Sequence, residues 1–258
     1  MAAPLNEITI PSIYKNRSGQ PVPLPKRMAQ CTPDLEATLQ AVNAELAKMG
    51  GRLVLSDMFR TYDMQLQSHL DYVSGKKTAY SPPPGGSLHE AGRALDLDLS
   101  SLRVGLSDFW ELAQPFGLFP IIDRPISSMN EAWHFDRRGS YQVVYEYYKN
   151  GKGTNFMPYA AMAASAILAI GVQVDAFKTN QEAAAIQSGL IRLGQTLGNI
   201  DGSIGSKTRN ALAAVGVPFT DSHTMLRAVE SLLRQKFPEE YEVDETIGFR
   251  EPPDHVIQ

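Results

Sequence analysis

The chain of 258 residues holds a single cysteine, Cys31. An intrachain disulfide is therefore excluded, and stability has to come from packing, with or without a metal. An excess of basic residues is missing too: 24 Lys and Arg stand against 28 Asp and Glu, a formal charge of -4. That balance argues against a nucleic-acid partner bound by neutralising phosphates. The opening residues, MAAPLNEITIPSIYKNRSGQPVPLPKR, lack the basic-then-apolar pattern of an export signal. No apolar run reaches the roughly 20 residues that a bilayer-crossing helix needs. The most apolar stretch, Tyr159 to Val174, is rich in alanine and predicts a buried helix, so no membrane insertion is expected. What remains, 43% hydrophobic and 20% charged residues, is a globular composition long enough for two domains at roughly 150 residues each.

Along the chain, residues 1–30 carry several prolines and little periodicity, which predicts an extended N-terminal arm with an edge strand near Ile8 to Ile13. From Thr32, a candidate cap, Leu35, Leu39, Val42 and Leu46 recur at helical spacing until Gly50 and Gly51. A short strand is predicted at residues 52–56, a helix over 62–73, and a loop through GKKTAYSPPPGG. RALDLDLS then alternates strictly, placing Asp96 and Asp98 on one face of a strand. A helix over 107–116 and a strand at 133–135 complete an α+β domain spanning residues 31–150. KNGKGTN opens a linker over 151–158. Helices are predicted over 159–170, 181–193, 207–215 and 223–236, making residues 159–236 a small all-α domain, and residues 237–258 an acidic tail.

Five histidines are few enough to weigh singly. His69, His223 and His255 read as surface or packing residues. His89 lies seven residues before Asp96, with Gly92 between them to allow a turn, and His134 lies three residues after Glu131. Two imidazoles, an aspartate and a free carboxylate suit a catalytic zinc site. Three protein ligands leave a fourth position for water, whose pKa falls to about 7, and a nearby acid takes the proton. The same spacing also suits two satisfied core histidines. Glu131 and His134 fall on opposite faces of an ideal strand, so joint use requires a bend between them.

Ser87 to Asp96 matches S-x-H-x-x-G-x-A-x-D, and Glu131 to His134 matches E-x-W-H, about 35 residues further on. Together they resemble the zinc D-alanyl-D-alanine carboxypeptidases of the VanY type and the related phage endolysins that cut peptidoglycan as L-alanyl-D-glutamate peptidases. Ser56 to Thr61, followed by Gln65, is similar to a further arginine-bearing segment of that family. The resemblance covers about residues 32–140 and implies a small mixed or antiparallel-sheet peptidase fold holding one zinc per chain. It implies His89, Asp96 and His134 as metal ligands and Glu131 as the base that then protonates the leaving amine. Arg60 is the candidate cation for an oxyanion or a substrate carboxylate, with an ordinary salt bridge as the alternative. Ser87, Gln65 and Trp133 are further candidates, Trp133 with a packing alternative. Asp98 is a candidate neighbour of the metal or a swapped ligand. Alanine stands at position 132 where the family often has proline.

The second half has a resemblance of its own. Gln187, Leu193-Gly194 and the run Ile200 to Thr208 look like the small helical peptidoglycan-binding module, with Ser206 able to cap the next helix. Glycine-rich helix connections also occur in plain packing domains. The two resemblances imply a monomeric zinc metallopeptidase that hydrolyses peptidoglycan stem peptides in the cell wall. The expected form is an endolysin-like endopeptidase, with a D,D-carboxypeptidase and a noncatalytic wall-binding protein as alternatives. Without an export signal, it would be made in the cytoplasm and reach the wall by bacteriophage-type release or injection.

Overall fold

The computed structural model describes residues 2–242, including residues 237–242 of the expected tail; residues 243–258, with His255, lie outside the described residues. The chain is α+β. Residues 2–30 are more ordered than an extended arm, since proline-tolerant edge strands pair there through the backbone. Strand β1 (Asn6–Glu7) pairs with β4 (Gln30–Cys31), and β2 (Pro11–Lys15) forms an antiparallel ribbon with β3 (Pro21–Pro23). Helix α1 (Pro33–Lys48) buries Leu35, Leu39, Val42 and Leu46 as their spacing predicts. Thr32 sits at the capping position, but its hydroxyl donates to Asp34 Oδ1 at 2.7 Å instead of capping the backbone.

Strand β5 (Leu55–Asp57) and helix α2 (Tyr62–Val73) follow, then β6 (Ala94–Leu97), α3 (Leu106–Ala113), β7 (Leu118–Pro120) and β8 (His134–Arg137). The larger sheet runs in the order β3-β2-β5-β6-β8-β7, with β2 and β5 parallel and the other neighbours antiparallel. Its period-two alternation separates two environments. Leu95, Leu97 and Phe135 turn towards α1 and α3, where Phe109 meets Phe135 edge-to-face at 5.0 Å between ring centroids. Ala94, Asp96, His134 and Asp136 occupy the opposite face, in the register Ala94 to Asp136 and Asp96 to His134.

The predicted strand stops short of Asp98. That carboxylate accepts from the Ser100 backbone N–H at 3.2 Å and its hydroxyl at 2.8 Å, starting a 3-10 turn over Leu99–Leu102. An aspartate that can bond its own backbone two residues on competes with the sheet ladder, and here it wins. Asp98 is thereby withdrawn from the Asp96 face.

Helix α4 (Gln142–Lys149) precedes a turn at residues 150–152, after which come α5 (Pro158–Ala169), α6 (Gln181–Arg192), α7 (Ser206–Ala214) and α8 (Ser222–Lys236). The turn lies where the linker was expected, yet α4 before it shares one hydrophobic cluster with α5 to α8. Ala3, Leu88, Ala91 and Ala94 belong to the same cluster, so the helical half closes over the second face of the sheet. Both outlying segments are tied across it: Ala3 N–H donates to the Ala169 carbonyl at 2.8 Å, and Glu240 is fully buried against Arg192 and Ser140. Among the described residues, no helix is long and apolar enough to cross a membrane.

Candidate metal centre

His89 is delivered by a 3-10 turn, Leu88–Ala91, whose construction explains most of the local motif. Ser87 Oγ accepts from the His89 N–H at 3.3 Å, while Glu90 accepts from the backbone N–H groups of Ser87 and Gly85, a reciprocal cap. Gly92 ends the turn at φ +62°, and a Cβ there would come within 2.6 Å of Leu5 Cδ2. Ser87 and Gly92 therefore shape the turn that carries His89. Asp96 and His134 reach the same point from directly opposed positions on β6 and β8.

Asp96 Oδ1 lies 2.9 Å from His134 Nδ1 and 3.3 Å from His89 Nε2, and the two nitrogens are 3.2 Å apart. Metal–ligand bonds of about 2.0 to 2.1 Å at tetrahedral angles place neighbouring ligand atoms about 3.3 Å apart. No other group of three such side chains is gathered this closely among the described residues. The far side of each ring decides its tautomer. His89 Nδ1 faces the Met58 carbonyl, and His134 Nε2 faces Asp136 Oδ1 at 2.9 Å; both partners only accept, so both nitrogens carry hydrogen. In neutral rings, Nε2 of His89 and Nδ1 of His134 then present lone pairs to the Asp96 oxygen. Three mutually repelling acceptors in a buried pocket are the donor set of a cation site, and the outer hydrogen bonds fix the rings for it. The residues thus fit a divalent metal.

Without a metal, a proton serves. Burial disfavours imidazolium at His134, but the Asp136 and Asp96 carboxylates outweigh it and push its pKa up to about 10. Burial likewise opposes ionisation of Asp96, yet His89 and His134 hold its carboxyl well below the usual range. Because the folded His134 pKa is raised from 6.5, its contribution to stability is complete below about pH 6.5 and is lost as the pH climbs through about 10. Chelator-treated protein should therefore melt at progressively lower temperature over that window, with a smaller decline once a divalent metal replaces the proton. Parallel calorimetry with and without chelator checks this; identical pH dependence in both would exclude the exchange of proton for metal.

The bend needed before His134 is present. Glu131 has a left-handed backbone at φ +66°, and the His134 N–H donates back to the Glu131 carbonyl at 3.0 Å. Glu131, Trp133 and all three candidate ligands line one cavity of about 600 Å³. Glu131 Oε1 is buried there with no hydrogen-bond partner among the described residues. Burial raises the Glu131 pKa, His134 opposes that rise, and Asp96 adds to it.

Arg60 also borders the cavity, but its guanidinium is occupied. Nε donates to Asp57 at 2.6 Å, Nη1 to Gln65 at 3.2 Å and Nη2 to Asp96 Oδ2 at 3.3 Å, while Gln65 anchors to Ser81 and the Pro82 carbonyl. The geometry makes Arg60 a holder of Asp96, with Gln65 as its brace. Asp98 is spent on Ser100 and does not join the cluster. Sequence reasoning missed Met58, Asp136, Lys77 and Tyr159. Asp136 had a signal, since it lies two residues from His134 on one strand face; Tyr159 had none.

In the helical half, the residues that suggested a wall-binding module bond to one another. Gln187 Oε1 accepts from the Asp201 and Gly202 N–H groups at 2.9 and 2.8 Å, and its Nε2 donates to Asp201 Oδ1 at 2.8 Å. They build the connection between α6 and α7, and Gly205, not Ser206, holds the capping position of α7. No family model matches the chain, and no curated protein matches it.

Proposed function

We propose that the protein is a zinc-dependent peptidase acting on peptidoglycan stem peptides, most simply as an L-alanyl-D-glutamate endopeptidase. The observation that carries this is the convergence of three buried lone-pair donors with the unpartnered Glu131 oxygen in one cavity. A closed structural site would have a fourth protein ligand and no use for a free base. The motif resemblance supplies the peptide and its source.

His89, Asp96 and His134 would hold the ion, with Arg60 keeping Asp96 aimed through the bond to its Oδ2. When bound, zinc supplies Lewis acidity towards a scissile carbonyl and brings the pKa of water to about 7. Glu131 Oε1 takes a proton from the attacking water and returns it to the nitrogen of the leaving amine as the C–N bond breaks. A carboxylate can perform both transfers because it accepts a proton when ionised and donates it when protonated. Tyr80, Ile121 and Met157 add exposed apolar surface to the lining of the cleft.

A carboxypeptidase must grip a terminal carboxylate, and the engagement of Arg60 by three partners favours the endopeptidase. One observation favours the D-alanyl-D-alanine carboxypeptidase instead: Lys77 is a second cation at the cavity wall, with Ser68 Oγ accepting from it at 3.0 Å. Mass spectrometry of defined muropeptides incubated with zinc-loaded and chelated protein separates these readings. Zinc-dependent release of the stem after L-alanine is the expected product. Loss of terminal D-alanine alone would select the carboxypeptidase, and the absence of any zinc-dependent product would select a noncatalytic wall-binding protein.

A further inference from the structure

We propose that Tyr159, on α5 of the helical half, is a positioning residue of the metal centre that acts through Asp136 on His134. This rests on the reading of His89, Asp96 and His134 as a metal site. The Tyr159 hydroxyl donates to Asp136 Oδ1 at 3.0 Å, and the same oxygen takes the His134 Nε2–H at 2.9 Å. Asp136 is fully buried, its other oxygen has no hydrogen-bond partner among the described residues, and the nearest guanidinium nitrogen, Arg138 Nε, stands 3.7 Å away. One carboxylate oxygen thus carries both bonds, and Tyr159 supplies the one that does not depend on His134.

The arrangement has a definite consequence. A buried carboxylate held by a single hydrogen bond can rotate about its side-chain torsions, taking the imidazole plane with it. With Tyr159 bonded, Asp136 is fixed by a second, independent hydrogen bond, so His134 Nδ1 stays aimed at the point shared with Asp96 Oδ1 and His89 Nε2. Partners of this outer kind are worth 10- to 100-fold in metal affinity. Helix α5 is packed against the turn that carries His89, and Met157 and Ala160 beside Tyr159 line the cavity. The helical half is in this way a structural part of the metal site as well as its neighbour.

The test uses the full-length chain. Zinc affinity is measured by competition with a chromophoric chelator, and site geometry by the visible spectrum of the cobalt-substituted protein. Tyr159→Phe is expected to weaken zinc binding by about 10- to 100-fold and to change the cobalt spectrum. Tyr148→Phe is the matched control: it deletes another hydroxyl of the same hydrophobic cluster, one bonded to the Ile200 N–H at 2.8 Å and to Asn155 at 2.9 Å. It should leave affinity and spectrum unchanged. Asp136→Asn and the double variant complete a cycle in which the two losses are less than additive, because both act on one ring. Unchanged affinity and spectrum in Tyr159→Phe, or losses that add fully with those of Asp136→Asn, would overturn the proposal while leaving the metal site standing. Failure of the unaltered protein to bind zinc or cobalt would remove the metal reading, and this inference with it.

Discussion

Replacing Glu131 with glutamine is expected to slow zinc-dependent cleavage of a muropeptide by about 10²- to 10⁴-fold while one zinc per chain is retained. On the rate scale this is about 3 to 5 kcal/mol of lost transition-state stabilisation. The substitution keeps the side-chain volume, so the left-handed turn at residue 131 and the cavity wall are preserved. It removes the group that receives and returns the proton. Glu131 stands outside the cluster of His89, Asp96 and His134, so metal content should not change. Turnover and bound zinc measured on the same preparation decide the matter. Undiminished turnover would remove Glu131 from the reaction, and loss of zinc would make it a ligand.

The second large effect concerns folding. Glu240→Ala is expected to destabilise the protein by about 3 to 5 kcal/mol, lowering the melting temperature by on the order of 10 °C. Glu240 accepts from Arg192, from the Ser140 N–H at 2.8 Å and from the Ser140 hydroxyl at 3.0 Å, all in the interior. Beside it, Arg93 pairs with Asp34, which also meets Arg137 at 3.1 Å. The Tyr141 ring lies between the two buried guanidiniums, 4.7 Å from Arg93 and 4.0 Å from Arg192. Gly139 leaves the room this requires, since a Cβ there would stand 2.6 Å from Glu240 Oε1. Removing one carboxylate strands a buried guanidinium, a far greater penalty than losing an exposed pair. Thermal and urea unfolding give the value; a change below about 1 kcal/mol would mean that water already solvates this cluster.

Much of this was legible where the chemistry is local. The spacing in α1 gave its buried face, and the alternation around Asp96 gave a strand with a carboxylate on one side. The motif spacing also singled out the three side chains that the fold gathers. The departures have particular causes. Asp98 looked equivalent to Asp96 by alternation, but its bonds to Ser100 broke the strand one residue earlier. Strand β7 is three residues long and ends in proline, too short for any pattern. The ribbon near the start of the chain is held by backbone pairing, which proline-rich edge sequences do not advertise. The occupation of Arg60 depends on Asp57 and Gln65 arriving from two elements, and the link from Tyr159 to Asp136 depends on how α5 lies across the sheet. Neither is a property of local sequence.

The crossing of Ala3 and Glu240 over opposite parts of the molecule bears on its modularity. A residue near the beginning pairs with the end of α5, and one beyond α8 closes a charge cluster that starts in α1. The chain is braided, so the turn at residues 150–152 is a poor place to cut it into cassettes. Transplanting residues 159–236 alone would leave behind both the carboxylate that neutralises Arg192 and the partner of the Ala169 carbonyl. Recombination between such proteins would have to exchange the outlying segments along with the helices they fasten.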